Sequence, residues 1–411
     1  MAGPVFLKRV VLRNYKSIAE CSVNLGPLTF LVGPNGAGKS NFLDALRLVA
    51  ESLHGSLEQS LRGRGGIGEV RRRSKGTAGA GRPTHFGVRL EFNLGDGVGG
   101  HYAFRVGALP KGGFEVQREE CQLWNEQSAL AGCFYTAESG KVIEASAKVM
   151  PPAFSDRLLL VAAAGLPEFR PLYDALSRMG FYNLNPDEIR DLQPSDTGEA
   201  LLRDGRNLAS VLNALGRDNP NARTRVVEFL SKVVPGIEAV IIRHVGTKEM
   251  LEFHQRAYAD SGPLTFHAEN MSDGTLRALG VLTALFQSTN GGSNRVPLVG
   301  IEEPEMALHP GAAGVLRDAL RTAADTTQVI VTSHSPDLLD DKDVSGDWIL
   351  AVVSENGETK IGPLNEADRS LMRERLFTAG ELLKQGSLTP DLEAIRRTPP
   401  KQLELFGRPD G

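Results

Sequence analysis

Hydrophobic and polar positions follow two different periods along this chain, and the changes of period indicate its elements. Short apolar runs at 28–32, 297–301 and 328–332 fit buried strands, and a further strand is predicted at 348–353. Apolar positions at helical spacing predict helices over 40–53, 275–286 and 312–324. Strands that alternate with helices favour a parallel sheet with helices packed on it, so we expect an α/β fold.

Two regions have another texture. From Gly55 to Gly113 the chain has 16 of its 45 glycines, with strand-like pieces at 86–92 and 102–106. Turns and antiparallel hairpins are therefore favoured there. Residues 151–235 have helical segments, for example 171–179 and 207–215, but no heptad pattern that would indicate a long coiled coil.

Composition limits the class of protein. The 411 residues include 41% hydrophobic and 23% charged side chains, and the net charge is −4, so contact with nucleic acid would need a local basic patch. No apolar run approaches the roughly 20 residues that span a bilayer, and the N-terminus lacks a signal-peptide layout. Together these two observations predict a cytoplasmic protein without membrane contact. The 3 cysteines argue against a disulfide framework or a zinc site.

A glycine-rich segment lies between the first buried strand and its helix. It fits the P-loop pattern, in which backbone N–H groups and the helix N-terminus face a phosphate. We expect Lys39 to reach the β and γ oxygens of a nucleoside triphosphate and the Ser40 hydroxyl to bind Mg²⁺. The alternative is an ordinary glycine-rich turn. The predicted nucleotide-binding residues are Gly33, Pro34, Asn35, Gly36, Ala37, Gly38, Lys39, Ser40 and Asn41.

Two later strands end in polar side chains. Glu302 and Glu303 follow the run at 298–301, where the first carboxylate can hold Mg²⁺ together with Ser40 and the second can deprotonate the attacking water. His334 follows the next strand, from which it could donate a hydrogen bond to the γ-phosphate. The alternatives are an acidic strand cap and a structural histidine.

A third anion-binding segment is predicted at the start of the 275–286 helix. Ser272, Asp273 and Gly274 precede that helix, and the free N–H groups of its first turn attract anions. The alternative is a simple N-cap, a role that Ser and Asp commonly have.

Together with Leu12-Arg13-Asn14-Tyr15-Lys16-Ser17-Ile18, these motifs resemble, in sequence and order, the ABC-type ATPases of the RecF, SMC and OLD group. The chain is most similar to the compact bacterial predicted-ATPase family without a coiled coil. The resemblance implies ATP and Mg²⁺ as cofactors and a homodimer that forms on ATP binding. It implies that Ser272 and Gly274 contact the γ-phosphate bound to a second protomer. By the same resemblance, Glu302 takes the Walker B position and Glu303 and Lys39 are catalytic. His334 would then be the switch histidine. Glu302 replaces the usual aspartate, and no Q-loop glutamine is identified.

The fold implied is an ABC-ATPase head with a P-loop parallel sheet, an antiparallel β subdomain and an inserted helical lobe. We predict an N-terminal ATPase lobe with the antiparallel subdomain at 1–150 and a mainly helical insertion at 151–270. A C-terminal ATPase lobe with the signature, Walker B and switch residues is predicted at 271–390, and a flexible tail at 391–411.

Two segments suggest partners. Arg62, Arg64, Arg71, Arg72, Arg73, Lys75 and Arg82 form a basic segment that could follow DNA phosphates, or that is simply a solvated loop. Residues Gln402 to Phe406 resemble the bacterial sliding-clamp-binding peptide, although an accidental amphipathic tail is the alternative.

The resulting hypothesis is an ATPase whose dimerisation is coupled to DNA binding or maintenance, for example in repair. The alternative is a regulatory ATPase that controls a partner effector, a nuclease or toxin, in phage defence. A third option, the motor subunit of a membrane transporter, fits the glycine-rich β region less well.

Overall fold

The computed structural model describes residues 3–72, 83–125, 132–256, 264–287, 296–397 and 404–407. Within those ranges, the strands are β1 (Leu7–Tyr15), β2 (Ile18–Asn24), β3 (Leu28–Val32), β4 (His85–Gly95), β5 (Val98–Ala108), β6 (Phe114–Asn125), β7 (Phe134–Glu138), β8 (Lys141–Ala145), β9 (Gly180–Tyr182), β10 (Gln193–Pro194), β11 (Ile237–Val245), β12 (Lys248–Gln255), β13 (Leu264–His267), β14 (Leu298–Glu302), β15 (Gln328–Ser333), β16 (Ile349–Glu355) and β17 (Glu358–Pro363).

The α-helices of the same ranges are α1 (Lys39–His54), α2 (Leu57–Arg62), α3 (Ile67–Val70), α4 (Leu159–Ala163), α5 (Arg170–Ser177), α6 (Pro186–Arg190), α7 (Leu208–Asp218), α8 (Pro220–Val233), α9 (Asp273–Phe286), α10 (Ala313–Ala324), α11 (Pro336–Leu339), α12 (Glu366–Arg373), α13 (Ala379–Lys384) and α14 (Leu392–Arg397). The predicted buried strands and the helices that follow them are confirmed, with ends that differ by a few residues.

A six-stranded sheet, here called the central sheet, has the order β17-β16-β3-β15-β14-β9. Its strands are parallel except β17, which is antiparallel to β16. All five residues of β3 are buried, because alternate side chains enter hydrophobic cores on opposite faces. Phe30 packs in the core that contains α9 and α10, whereas Leu31 packs in the core that contains α1.

A seven-stranded antiparallel sheet has the order β2-β1-β4-β5-β6-β7-β8, as the glycine-rich texture predicted. Its inner face is apolar, and large side chains such as Phe86, Tyr102 and Phe104 share the core of α1. The sheet therefore lies against the helix that follows the glycine-rich loop.

The region 151–270, predicted as mainly helical, requires a correction. Helices α4 to α8 are present, but β11, β12, β10 and β13 form a second antiparallel sheet, and β9 joins the central sheet beside β14. Strand β11 contains the run Val240-Ile241-Ile242, whose β-branched side chains favour a strand.

Two parts of the predicted flexible tail have defined structure, whereas 398–403 and 408–411 lie outside the described residues. Residues 392–397 form helix α14, and its Ile395 side chain lies against Gly362 of β17. Residues 404–407 lie against the antiparallel sheet, where Leu405 is buried. In the part of the chain that the structure covers, no helix has both the length and the apolar character needed to cross a bilayer.

Candidate functional site

Three adjacent strands of the central sheet bring the predicted motifs to one edge. Strand β15 lies between β3 and β14, and all three run in the same direction. Glu302 pairs in register with Thr332, and Ser333 pairs with Val32. The carboxyl ends of these strands therefore place the glycine-rich loop, the acidic pair and His334 at the same edge, which is where open α/β sheets bind ligands.

The glycine-rich loop has the backbone of a phosphate cradle. Gly36 and Gly38 have φ values of +77° and +103°, which side-chain-bearing residues rarely adopt. A Cβ atom on Gly38 would lie 2.0 Å from Thr359 Oγ1, so the loop also has no room for a side chain there. Helix α1 begins at Lys39, immediately after this turn.

Lys39 is buried, and its ammonium group binds the loop itself. Its Nζ donates hydrogen bonds to the carbonyl oxygens of Gly33 (2.8 Å) and Pro34 (3.0 Å). Burial lowers the pKa of Lys39, and the nearby carboxylates of Glu303 and Glu305 partly oppose that shift. The Lys39 ammonium thus interacts electrostatically with Glu303 and Glu305, which follow β14 on the far side of β15.

Residues distant in sequence support the loop, and the sequence analysis missed them. Thr359 of β17 donates its hydroxyl to the Ala37 carbonyl at 2.8 Å. Its oxygen lies 2.7 Å from the Ser17 hydroxyl, which also accepts a hydrogen bond from the Asn41 amide at 2.6 Å. Asn41 thus faces this supporting network, whereas Ser40 at the start of α1 is exposed.

The two carboxylates of the acidic pair have different surroundings. Glu302 Oε1 accepts a hydrogen bond from Arg203 at 2.9 Å. Glu303 has a φ of +44°, an uncommon conformation for a residue with a side chain, and its N–H donates to the Thr332 carbonyl at 3.0 Å. Glu303 Oε1 lies 3.2 Å from His334 Nδ1. The turn thus directs one carboxylate at an arginine and the other at the predicted switch histidine.

Glu305 is a further acidic residue of this site that the sequence analysis did not single out. Its Oε1 accepts a 2.6 Å hydrogen bond from the Ser333 hydroxyl, and its Oε2 is buried without a hydrogen-bond partner among the residues that the structure describes. Burial raises the pKa of Glu305, whereas the Ser333 hydrogen bond lowers it. The Glu-Glu-Pro-Glu spacing was the available signal, because Glu305 is two residues after Glu303.

The predicted signature segment adjoins the acidic turn through α9. Ser272 caps the helix by accepting a hydrogen bond from the Thr275 N–H at 3.2 Å, so the predicted N-cap role is real. Arg277, one turn into the helix, donates to the carbonyl oxygens of Glu302 and Glu303, both at 3.3 Å. Hydrogen bonds from Arg277 therefore join α9 directly to the backbone of the acidic turn.

The rest of the segment also contacts neighbouring elements. Ser272 and Asp273 are exposed, and Asp273 pairs with Arg190 at 2.5 Å. A Cβ atom on Gly274 would lie 2.3 Å from the Ala307 carbonyl oxygen, which explains the glycine at the closest approach to the acidic loop.

The residue that follows β9, Asn183, has an amide side chain near the acidic pair, although no Q-loop glutamine was identified. Tyr182 pairs with Ile301 of β14, so the next residue, Asn183, lies at the level of Glu302. Its side chain is exposed, and its N–H donates to the Arg203 carbonyl at 3.0 Å. Sequence alone did not indicate that this three-residue strand borders β14.

The predicted basic segment is only partly described. Arg73, Lys75 and Arg82 lie outside the described residues. The other four arginines have partners within the chain: Arg62 pairs with Glu58, buried Arg64 with Asp44 and Glu51, Arg72 with Glu358, and Arg71 donates to the Pro83 carbonyl. The prediction of a solvated basic loop is therefore wrong for Arg64, which is a structural residue.

The oxygen atoms at the sheet edge fit a Mg²⁺-triphosphate group. Mg²⁺ prefers oxygen ligands and usually retains several waters. The Ser40 hydroxyl, the Glu302 carboxylate and the partnerless Glu305 Oε2 are oxygen donors of this kind. Among the described residues, no three His, Cys, Asp or Glu side chains form a metal-binding group, so phosphate and water oxygens would complete the coordination.

Comparison with known proteins agrees with this geometry. A family model described as "AAA ATPase domain" matches residues 6–75, and one described as "AAA domain, putative AbiEii toxin, Type IV TA system" matches residues 147–340. A 51-residue stretch is 45% identical to an OLD nuclease of Thermus scotoductus, covering 12% of this chain and 10% of that protein. A 60-residue stretch is 38% identical to RecF of Aliivibrio fischeri, covering 14% of this chain and 16% of that protein. The chain belongs to the ABC-type ATPases of the RecF, SMC and OLD group.

Solved structures show the fold of this ABC-type ATPase. An Smc head bound to the C-winged helix domain of ScpA has a TM-score of 0.56 at 15% identity, and covers 88% of this chain and 99% of that one. An Smc head with an extended coiled coil, bound to the C-terminal domain of ScpA from Pyrococcus furiosus, has a TM-score of 0.55 at 12% identity, with 91% and 100% covered. The predicted ABC-ATPase head is thus confirmed. The two curated relatives named above are matched over only 10% and 16% of their own lengths.

Proposed function

We propose that this ABC-type ATPase binds ATP with Mg²⁺ and hydrolyses it at the carboxyl edge of the central sheet. The observation that carries the proposal is the convergence of Lys39, Glu303 and His334 from three adjacent strands, beside a loop that has no room for a side chain at Gly38. The alternative, that Glu302 and Glu303 only cap the end of a strand, does not explain why the buried Lys39 interacts electrostatically with the acidic turn.

Residues 33–41 bind the triphosphate in this proposal. Lys39 exchanges its hydrogen bonds to the Gly33 and Pro34 carbonyl oxygens for bonds to phosphate oxygens. That exchange is favourable because a hydrogen bond between two charged groups is stronger than one to a neutral carbonyl. The first turn of α1 adds free N–H groups at the positive end of the helix dipole.

Glu303 accepts a proton from the attacking water, and His334 holds the carboxylate of Glu303 in position. The 3.2 Å contact between Glu303 Oε1 and His334 Nδ1 leaves the other carboxylate oxygen available for water. A bound Mg²⁺, held by Ser40 and Glu302, would supply charge stabilisation at the β and γ oxygens. Glu305 is placed to hold metal-bound water through its partnerless Oε2.

Steady-state ATP hydrolysis by the Glu303→Gln variant tests this assignment. We expect turnover to fall at least about a hundredfold while ATP affinity is retained, because the amide keeps the shape but accepts a proton poorly. Glu144→Gln, on exposed strand β8, is the matched control and should hydrolyse like wild type. Equal turnover in the two variants would remove Glu303 from the mechanism.

We further propose that two protomers enclose ATP, with Ser272 and Gly274 of one facing the triphosphate of the other. Support comes from the exposed Ser272 at the start of α9, a 14-residue helix whose first N–H groups favour anions. Size-exclusion chromatography in ATP should show a dimer for Glu303→Gln, because slow hydrolysis preserves the bound nucleotide. A variant that binds ATP but stays monomeric at high protein concentration would contradict dimerisation.

The output of the ATPase cycle is proposed to be DNA binding or maintenance. The DNA hypothesis depends on Arg73, Lys75 and Arg82, because the other arginines of the segment have internal partners. ATP turnover stimulated by DNA, and lost on replacing these three residues by alanine, would support it. Turnover unchanged by DNA would count against it.

The second candidate, control of a partner nuclease or toxin in defence, is favoured by the "putative AbiEii toxin" description of the matching model and by the similarity to an OLD nuclease. The predicted clamp-binding role of 402–406 also remains a proposal. Purified clamp that binds the wild-type protein but not a Phe406→Ser variant would support the clamp role.

A further inference from the structure

Three ionisable side chains are buried on the outer face of the antiparallel sheet, opposite its hydrophobic core. Arg89 is 3% exposed, His101 is 0% exposed and Glu120 is 8% exposed. Arg89 and Glu120 both pair in register with Ala103, so they flank β5 on the same face. Charged residues are rarely buried without a partner, so this face has a specific covering segment.

Residues 404–407 are that covering segment. Leu405 is 6% exposed, and it fills a notch above Gly87 of β4. A Cβ atom on Gly87 would lie 2.2 Å from Leu405 Cδ1, whereas the nearest backbone atom would be the Phe104 carbonyl oxygen at 3.3 Å. The absent side chain of Gly87 thus makes room for the leucine.

The sheet also binds the backbone of this segment. Arg89 Nη1 donates to the carbonyl oxygens of Leu405 (3.1 Å) and Gly407 (2.9 Å), and the Gly407 N–H donates to Glu120 Oε1 at 2.9 Å. These charge-assisted hydrogen bonds bind main-chain groups of two residues, Leu405 and Gly407, that are two positions apart.

The aromatic residue of the segment binds cations. The Phe406 ring lies 4.7 Å from the Arg118 guanidinium carbon and 5.8 Å from that of Arg105. Cation–π contact of this kind favours an aromatic side chain at this position. The surface therefore selects a leucine followed by an aromatic residue, and the φ of +95° at position 407 favours a glycine after them.

We propose that this outer face is a binding site for an extended Leu-Phe-Gly peptide, and that the chain's own residues 404–407 occupy it as a releasable latch. The site does not involve the nucleotide-binding residues. Docking buries Leu405 and covers part of Phe406, so another protein can bind both side chains fully only after the latch opens. An opened latch would in turn leave Arg89 and Glu120 exposed to water.

Fluorescence anisotropy with a labelled synthetic peptide of residues 398–411 tests the site in the full-length protein. A Leu405→Ser, Phe406→Ser double variant should bind the peptide saturably, since its own tail no longer fills the notch. Wild type should bind at least about fivefold more weakly, because its tethered tail competes at high effective concentration. Equal binding by the two proteins would overturn the latch.

Two further variants test the notch itself. Adding Gly87→Ala to the double variant should weaken peptide binding at least about tenfold, since the new methyl group occupies the leucine position. Gly99→Ala, on the same face of β5 and away from the tail contacts, is the matched control and should leave binding unchanged. A peptide with serines at 405 and 406 cannot disturb the protein fold. If that peptide bound as well as the natural sequence, the proposal would be wrong.

Discussion

Replacing Arg203 by alanine should strengthen Mg²⁺ binding at the nucleotide site. In the structure, Arg203 Nη2 lies 2.9 Å from Glu302 Oε1 and forms an ion pair with it. This is the carboxylate that is proposed to bind Mg²⁺. The cation and the guanidinium therefore compete for one oxygen. The side chains of Arg203 and Glu302 are 45% and 23% exposed, so solvent screens the pair, and it contributes only about 0–1 kcal/mol. Since 1 kcal/mol is about a fivefold change in an equilibrium constant, the half-saturating Mg²⁺ concentration should fall by up to about fivefold.

The assay is a Mg²⁺ titration of fluorescent ATP-analogue binding, which does not depend on turnover. Arg206→Ala is the matched control, because Arg206 is exposed in the same loop and pairs with Asp204 at 3.8 Å, not with Glu302. If Arg206→Ala leaves the Mg²⁺ titration unchanged, the effect of Arg203→Ala can be assigned to the loss of its contact with Glu302. A higher Mg²⁺ requirement in Arg203→Ala would refute competition and would indicate that the arginine helps to bind the nucleotide.

Three further predictions concern the loop and its supporting residues. Gly38→Ala should abolish ATP binding in calorimetry, because its φ is +103° and the new methyl group would overlap Thr359. Thr359→Val should cost about 1–3 kcal/mol in urea unfolding and weaken ATP binding, since the Ala37 carbonyl loses its donor. Asp44→Asn should lower the free energy of unfolding at pH 7 by about 3 kcal/mol, because the buried Arg64 side chain loses the more buried of its two partner carboxylates. Burial opposes ionisation of Asp44, but Arg64, Lys16 and Arg47 together outweigh burial and hold the pKa of Asp44 well below the ordinary 3.8. The stabilisation from ionised Asp44 is therefore lost as the pH falls below 3.8 towards the lower pKa of the folded state, and unfolding free energies measured from pH 5 to 3 should change less in the variant than in wild type.

Those parts of the site that are contiguous in sequence could be predicted. The glycine-rich loop, the acidic pair and His334 each follow a short apolar run, and such runs form neighbouring strands of a parallel sheet. The strand before His334 lies beside the strand that ends in Glu302, because β14 pairs with β15. Local pattern was sufficient because each motif lies at a strand end.

The supporting contacts could not be predicted, because they join residues far apart in the chain. Thr359 holds the Ala37 carbonyl across 322 positions, and Arg203 reaches Glu302 across 99. A threonine in a hairpin strand and an arginine in a loop have no distinctive local pattern. The buried ion pair of Arg64 could not be predicted for the same reason. Its partner Asp44 lies on α1, 20 positions earlier in the chain, so the glycine-rich segment around Arg64 gave no sign of the contact.

Mixed-variant complementation tests most directly whether ATP is hydrolysed between two protomers. Glu303→Gln removes the base on the side of the glycine-rich loop, and Ser272→Arg blocks the opposing signature segment. In a mixed dimer, one of the two composite sites combines an intact loop side with an intact signature side. We predict that the two inactive proteins, mixed in equal amounts, regain up to about a quarter of wild-type turnover. A mixture that hydrolyses ATP no faster than the sum of the separate variants would contradict the account.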